Sequence, residues 1–222
     1  MAIWLYGYGY MMGMPAIIGW HQLCGYDILQ YMLRLAQKVV IVINGRGGAG
    51  KDTICGAVAK YIPSASVSAI TPIKELAKSY GWDGEKDDKS RKFLADLKKA
   101  FIDYDGMPNR YLENEYIKFM SGGADILFVH IREGSQIDDF KRRVPTKCIT
   151  LLVRPPEGQG IAAFGNESDD GVENYAYDYC YTNRETIEAM EPEFMDFLAG
   201  ILASEGALRL AVDGCRLWHG AD

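Results

Sequence analysis

The chain has 222 residues, is 48% hydrophobic and 24% charged, and carries a formal net charge of −6. That suits one sizeable α/β domain with a full core. The acidic balance argues against a nucleic-acid polymer as partner, because such affinity comes mainly from neutralised phosphates. A nucleotide stays open, since it needs only a local cluster of donors and cations. Cys24, Cys55, Cys148, Cys180 and Cys215 are odd in number, widely spaced and free of any C-x-x-C. This argues against a disulfide framework or zinc site and for a reducing, cytoplasmic setting. His21, His130 and His219 are too scattered in sequence for a metal cluster.

Residues 1 to 26 hold no Asp, Glu, Lys or Arg, yet they lack the basic start of a signal peptide. Glycines, Pro15 and tyrosines interrupt their apolar residues, so a membrane-spanning helix is not expected either. "DILQYMLRLAQK" reads as a short amphipathic helix, with Ile28, Met32 and Leu35 on one side. Residues 1–37 therefore read as an extension of undetermined role, ahead of a domain over 38–203 and a tail over 204–222.

"KVVIVIN", residues 38 to 44, is a continuous β-branched run, the mark of a strand buried on both faces. A glycine-rich turn follows, then "KDTICGAVAKYI" with Ile54, Val58 and Tyr61 at helical spacing. "ASVSAI" (65–70) reads as a second strand, and Pro72 opens a helix at a position where proline costs no hydrogen bond. "DDKSRKFLADLKKAFIDY" reads as a helix whose stripe is Phe93, Leu94, Leu97 and Phe101, with Arg91, Lys98 and Lys99 off it. "NRYLENEYIKFM" is another helix, "DILFVHI" (125–131) a third strand, "SQIDDFKRR" its following helix, and "CITLLV" (148–153) a fourth strand. Residues 154–174 read as a polar, Gly/Pro-rich loop or lid. "YDYCYTN" gives a fifth strand, and "IEAMEPEFMDFLAGILA" a closing helix broken near Pro192. Strands alternating with helices imply a parallel sheet covered on both faces.

The turn "NGRGGAGKDT" comes close to the phosphate-binding pattern G-x-x-x-x-G-K-[ST], through Gly45, Gly50 and Lys51. Successive N–H groups of Gly45, Arg46, Gly47, Gly48, Ala49 and Gly50 can wrap a phosphate at the helix N-terminus, where the dipole favours negative charge. Lys51 would bridge the β- and γ-phosphates of ATP. The pattern calls for a hydroxyl after the lysine. Asp52 stands there instead, with Thr53 one place late. Asp52 reads either as a ligand to Mg²⁺ or its waters, with Thr53 on an α-phosphate oxygen, or as a favourable acid at a helix N-terminus.

With "GKDT" after a strand, the chain resembles bacteriophage-type deoxynucleoside monophosphate kinases, whose loop is related to that of animal-type phosphomevalonate kinases. "TPIKE" (71–75), "FVHIREGSQIDDF" and "ESDDGVENYAYDYCYTN" resemble further segments of that family in the same order, over about residues 38 to 202. The resemblance implies a three-layer P-loop NTPase fold, a mostly parallel five-stranded sheet with helices on both faces and a short lid. It implies an ATP- and Mg²⁺-dependent kinase acting on a small phosphorylated acceptor. That acceptor is a nucleoside or deoxynucleoside monophosphate, or alternatively phosphomevalonate or a similar metabolite; no membrane partner is implied, and a homodimer is compatible. Lys51, Arg132 and Arg154 would neutralise developing charge. Lys74, Arg91 and Lys98 would hold the acceptor, Arg91 bidentately. A solvated helix face pairing Asp88 with Lys92 and Asp87 with Arg91 is the competing reading for that last group.

Two departures stand out. His130 occupies the place of the family's strand-end Asp, either donating a hydrogen bond to phosphate or filling space. No arginine lies between Arg154 and Arg184, where the family's lid carries several. These departures favour a second function class, a nucleotide-binding regulator or degenerate kinase. Tyr175 and Tyr177 read as base-stacking or as core residues. No N-K-x-D motif of GTPase switches or L-S-G-G signature of ABC ATPases occurs.

Overall fold

The computed structural model describes residues 33–85, 87–156, 171–184 and 186–210. Among them are seven strands and six α-helices. The strands are β1 (Leu33–Leu35), β2 (Val39–Asn44), β3 (Ser64–Ser68), β4 (Ile126–His130), β5 (Cys148–Arg154), β6 (Tyr179–Thr182) and β7 (Leu208–Leu210). The helices are α1 (Lys51–Val58), α2 (Thr71–Ser79), α3 (Asp88–Asp105), α4 (Met107–Ser121), α5 (Gly134–Arg143) and α6 (Ile187–Ser204).

Five strands form one sheet in the order β3-β4-β2-β5-β6, every neighbouring pair parallel. Side chains alternate across a strand, so β2 feeds both faces. Val39, Ile41 and Ile43 pack with Ile54 and Val58 of α1 and with Phe194, Leu198 and Leu202 of α6. Val40 and Val42 pack on the other face with Leu112 and Phe119 of α4 and Ile137 and Phe140 of α5. This is why "VVIVIN" has no polar alternation: all six residues are buried. The chain leaves β2 to build one side of the sheet through β3 and β4, then crosses to the other side for β5 and β6. The carboxyl end of β2 is therefore the switch point, the place where open α/β sheets bind ligands.

β5 and β6 are locked by a side-chain clamp. The Thr150 N–H and hydroxyl both donate to Asp178 Oδ2, at 2.8 and 2.7 Å, and the Asp178 N–H donates to Thr150 Oγ1 at 2.9 Å. A third, smaller apolar cluster lies beside the sheet, where Ile73 and Ala77 of α2 meet Leu94 of α3 and partly buried Trp82, Leu97 and Phe101.

Three readings are corrected. Residues 33–35 are not helical; they form β1, which pairs antiparallel with β7, Leu33 opposite Leu210 and Leu35 opposite Leu208. Ile28 and Met32, the rest of that expected stripe, lie outside the described residues. This ribbon joins the end of the expected extension to the start of the expected tail. α6 is not broken at Pro192 but runs unbroken through it for 18 residues. The proline forfeits one hydrogen bond in the second turn, while burial of Met190, Phe194, Leu198, Ile201 and Leu202 holds the axis. Finally, Phe93 is 45% exposed, whereas Lys98, expected to lie off the stripe, is 7% exposed. The arc of α3 that faces inward is centred on Leu94 and Lys98, one turn apart, and a charge partner keeps Lys98 there. Among the described residues, no helix is long and apolar enough to cross a membrane.

Candidate active site

The turn between β2 and α1 is shaped by two glycines at which any side chain is strained. Gly45 has φ 147°, and a Cβ on it would lie 2.2 Å from the Val153 carbonyl oxygen of β5. Gly50 has φ 84°, and a Cβ on it would lie 2.2 Å from Asn183 Nδ2. Left-handed backbone and lack of room therefore demand the same residue at both positions. Gly47 is not at positive φ, so the conformational reason for a glycine does not extend to it.

Two asparagines hold the turn from either side. Asn44 is fully buried. Its Oδ1 accepts the Gly45 N–H at 2.8 Å, and its Nδ2 donates to the Arg132 carbonyl at 2.9 Å and to the Tyr177 hydroxyl at 2.6 Å. The Tyr177 hydroxyl in turn donates to the Val172 carbonyl at 2.7 Å. Asn183, just beyond β6, donates through Nδ2 to the Ala49 carbonyl at 2.9 Å. A glycine turn fixed in this way at a helix N-terminus, after a central parallel strand and before a lysine, has the geometry of the P-loop of one fold.

The fold is a P-loop NTPase fold.

Within this P-loop, Lys51 folds back and donates to the Gly45 and Arg46 carbonyls at 2.6 and 2.8 Å. Its ammonium thus sits over the space the loop encircles. The Asp52 side chain is fully exposed, and its Oδ1 lies 3.9 Å from His130 Nδ1. Thr53 is exposed beside it. His130, at the end of β4, is mostly buried. Burial pushes its pKa below the ordinary imidazole value; Asp52 opposes that shift, and Lys51 and Arg132 add to it. Its Nε2 lies 3.9 Å from Cys55 Sγ. Burial drives that thiol's pKa up to about 12, which keeps it protonated.

A cleft of about 690 Å³ opens from the loop, within the usual range of small-molecule sites. Lys51, Asp52, His130 and Arg132 line it from the loop and the end of β4, and Lys74, Lys78 and Arg91 line it from α2 and α3. The sequence had singled out six of these seven; Lys78, one turn after Lys74 on the same helix, is the addition. Lys98 also reaches the cleft but is paired, its Nζ 2.6 Å from Glu133 Oε2 at the start of α5. In α3, Lys92 pairs with Asp96 at 2.7 Å, and Asp87 accepts the Ser90 N–H as the helix cap. The exposed ion pairs of this face thus differ from the pairing expected for Asp88 with Lys92.

Arg154 does not line this cleft. It stands at the end of β5 with its guanidinium 3.4 Å from Glu173, whose carboxylate also lies 3.9 Å from Arg46 Nε. Most of the expected lid, residues 157–170, lies outside the described residues. Tyr175 and Tyr177 meet edge to face at 5.1 Å and pack against the core, with the Tyr175 hydroxyl on Asp138. They serve the scaffold. Among the described residues, no group of three or more His, Cys, Asp or Glu side chains converges on a metal position.

No family model matches the chain, and no curated protein matches it. Among solved structures, it is similar to thymidylate kinase from Candida albicans, at 13% identity over 78% of this chain and 98% of that one, TM-score 0.45. A gluconokinase from Sinorhizobium meliloti gives 10% identity over 78% and 98%, TM-score 0.45. Shikimate kinase from Acinetobacter baumannii gives 10% over 74% and 94%, TM-score 0.41. Likeness at this level carries no information on substrate.

Asn44 has no role in the sequence-based expectation, and Asn183 figures there only as the Asn closing the fifth-strand segment, without a role. Asn44 left one signal, a polar residue closing an otherwise apolar strand directly before the first loop glycine.

Proposed function

We propose that the protein moves the γ-phosphoryl group of ATP to a small phosphorylated acceptor, a nucleoside or deoxynucleoside monophosphate. One observation carries the reading: the P-loop lysine and the cations of α2 and α3 face a single cleft. Lys51 and the loop amides would hold the donor phosphates, and Arg132 would meet the charge that develops between donor and acceptor. Lys74, Lys78 and Arg91 would hold the acceptor phosphate, with Arg91 suited to bidentate contact. The acceptor phosphate is already an oxyanion. It attacks the γ-phosphorus, the bond to the bridging oxygen breaks, and ADP leaves without a general base. Mg²⁺ supplies charge neutralisation when bound, and Asp52 would hold it or its waters.

The test is purified protein with ATP and divalent metal against a panel of nucleoside monophosphates plus phosphomevalonate, followed for ADP and phosphorylated product. Turnover with one nucleotide class supports the reading. Turnover with phosphomevalonate alone moves the assignment to metabolite kinases. ATP binding with no acceptor-dependent turnover across the panel assigns the protein instead to nucleotide-binding regulators, the class that His130 and the Glu173-held Arg154 favour.

A further inference from the structure

The end of β4 carries an imidazole, and that imidazole is aimed. His130 Nδ1 faces the Asp52 carboxylate at 3.9 Å, and Nε2 faces Cys55 Sγ at 3.9 Å. The two ring nitrogens therefore have separate partners, and the partner of one sets the role of the other. With the ring proton on Nε2, beside the buried Cys55 sulfur, the Nδ1 lone pair is available to a cation that Asp52 shares; without a cation the carboxylate favours the proton on Nδ1. Lys51, next in the chain to Asp52, marks where nucleotide phosphates would lie. Asp52 and His130 line the same cleft as Lys51.

The separation is close to that of a shared cation. Two cis ligands each about 2.1 Å from one ion are about 3 Å apart. The side chain of Asp52 is fully exposed, and a torsional change moving its oxygen by about 1 Å closes that gap. His130 is anchored in a strand end and need not move.

The chemistry of this donor set differs from that of two carboxylates. Mg²⁺ is hard, prefers oxygen and dehydrates reluctantly. An imidazole nitrogen raises affinity for first-row transition ions, in the order from Mn²⁺ upward to Cu²⁺. We propose that Asp52 and His130 form a mixed oxygen–nitrogen cation site at the P-loop, which binds a first-row transition-metal ion with the nucleotide in preference to Mg²⁺. The inference rests on the nucleotide-binding half of the proposed function and is independent of the acceptor.

Mn²⁺ is the probe, because its electron spin reports a directly bonded nitrogen. The full chain is loaded with Mn²⁺ and a non-hydrolysable ATP analogue, and pulsed electron paramagnetic resonance is read for ¹⁴N coupling from imidazole. Wild-type protein is expected to give that coupling, and His130→Asp is expected to lose it while still binding the metal–nucleotide complex. Competition by Mg²⁺ gives the second readout: the Mn²⁺-over-Mg²⁺ preference should fall at least about tenfold in His130→Asp. Nucleotide bound with Mn²⁺ but no ¹⁴N coupling in the wild type overturns the site, and that measurement requires no variant to fold. An unchanged metal preference in folded His130→Asp also overturns it. No analogue binding with either metal overturns the nucleotide reading itself and the site with it.

Discussion

Asn44→Ala is the sharpest test of how the loop is held. The side chain is fully buried and makes three hydrogen bonds, to the Gly45 N–H, the Arg132 carbonyl and the Tyr177 hydroxyl. Alanine withdraws all three. Tyr177 retains its donation to Val172, so two backbone groups, the Gly45 N–H and the Arg132 carbonyl, bear most of the loss. Each buried polar group left without its partner costs about 1–3 kcal/mol. The sum is about 2–6 kcal/mol, a large share of a total stability of about 5–15 kcal/mol. Urea unfolding followed by circular dichroism should show the midpoint falling with an unchanged slope. Isothermal titration below that midpoint should show ATP affinity reduced at least about tenfold, or about 1.4 kcal/mol, because Gly45 is no longer held at its left-handed φ and Arg132 loses its anchor. A stability loss under about 0.5 kcal/mol, or ATP affinity within about twofold of wild type, would refute the reasoning. Either result would mean the loop is held by the sheet and Asn183 alone.

Four further outcomes follow from the same geometry. Lys51→Ala should reduce ATP affinity at least about tenfold, as expected for loss of a charge-assisted contact, with little change in unfolding midpoint; unchanged affinity by titration would remove the P-loop assignment. Gly50→Ala places a Cβ 2.2 Å from Asn183 Nδ2 at φ 84°. It should cost at least about 1–2 kcal/mol from backbone strain alone, and a cycle with Asn183→Ala in urea unfolding should give non-additive losses. Arg91→Ala should raise the acceptor KM in steady-state kinetics and leave the ATP KM near its starting value; a change in ATP KM alone would contradict the assignment of Arg91 to the acceptor. Glu191 accepts from Lys60 at 2.5 Å and from Tyr61 at 2.6 Å, and these bonds hold its pKa below the ordinary 4.5. A depressed carboxylate contributes stability above its unfolded value and loses it as pH falls through the folded one. Glu191→Gln should therefore be about 1 kcal/mol less stable near neutral pH, with the gap closing below about pH 4.5 in thermal melts.

Much of the scaffold was legible because its causes are local. "VVIVIN" could only be a strand buried on both faces, and Gly45, Gly50 and Lys51 carried the loop spacing. Pro72 and Pro108 lie in the first turns of α2 and α4, and Gly106, at φ 68°, separates α3 from α4. What misled was local too. Leu33–Leu35 has helical periodicity on paper, but its partner, Leu208–Leu210, lies at the far end of the chain. Phe93 looked like core and Lys98 like surface, because hydrophobicity alone was available to rank them. The Glu133 carboxylate that makes Lys98 a buried residue comes from the start of another helix.

The sequence alone determined the period of the elements of the central domain, the glycine turn and the lysine that follows it, since sterics and periodicity act over a few neighbours. Only the tertiary structure decided that Asn44 meets Tyr177 and that Asn183 meets Ala49. It also brought His130 between Asp52 and Cys55 and set the cations of α2 and α3 around one cleft with Lys51. Those pairings join segments tens of residues apart. They exist because the parallel sheet brings the carboxyl ends of β2, β4, β5 and β6 to one edge, an arrangement fixed by strand order and by no local pattern.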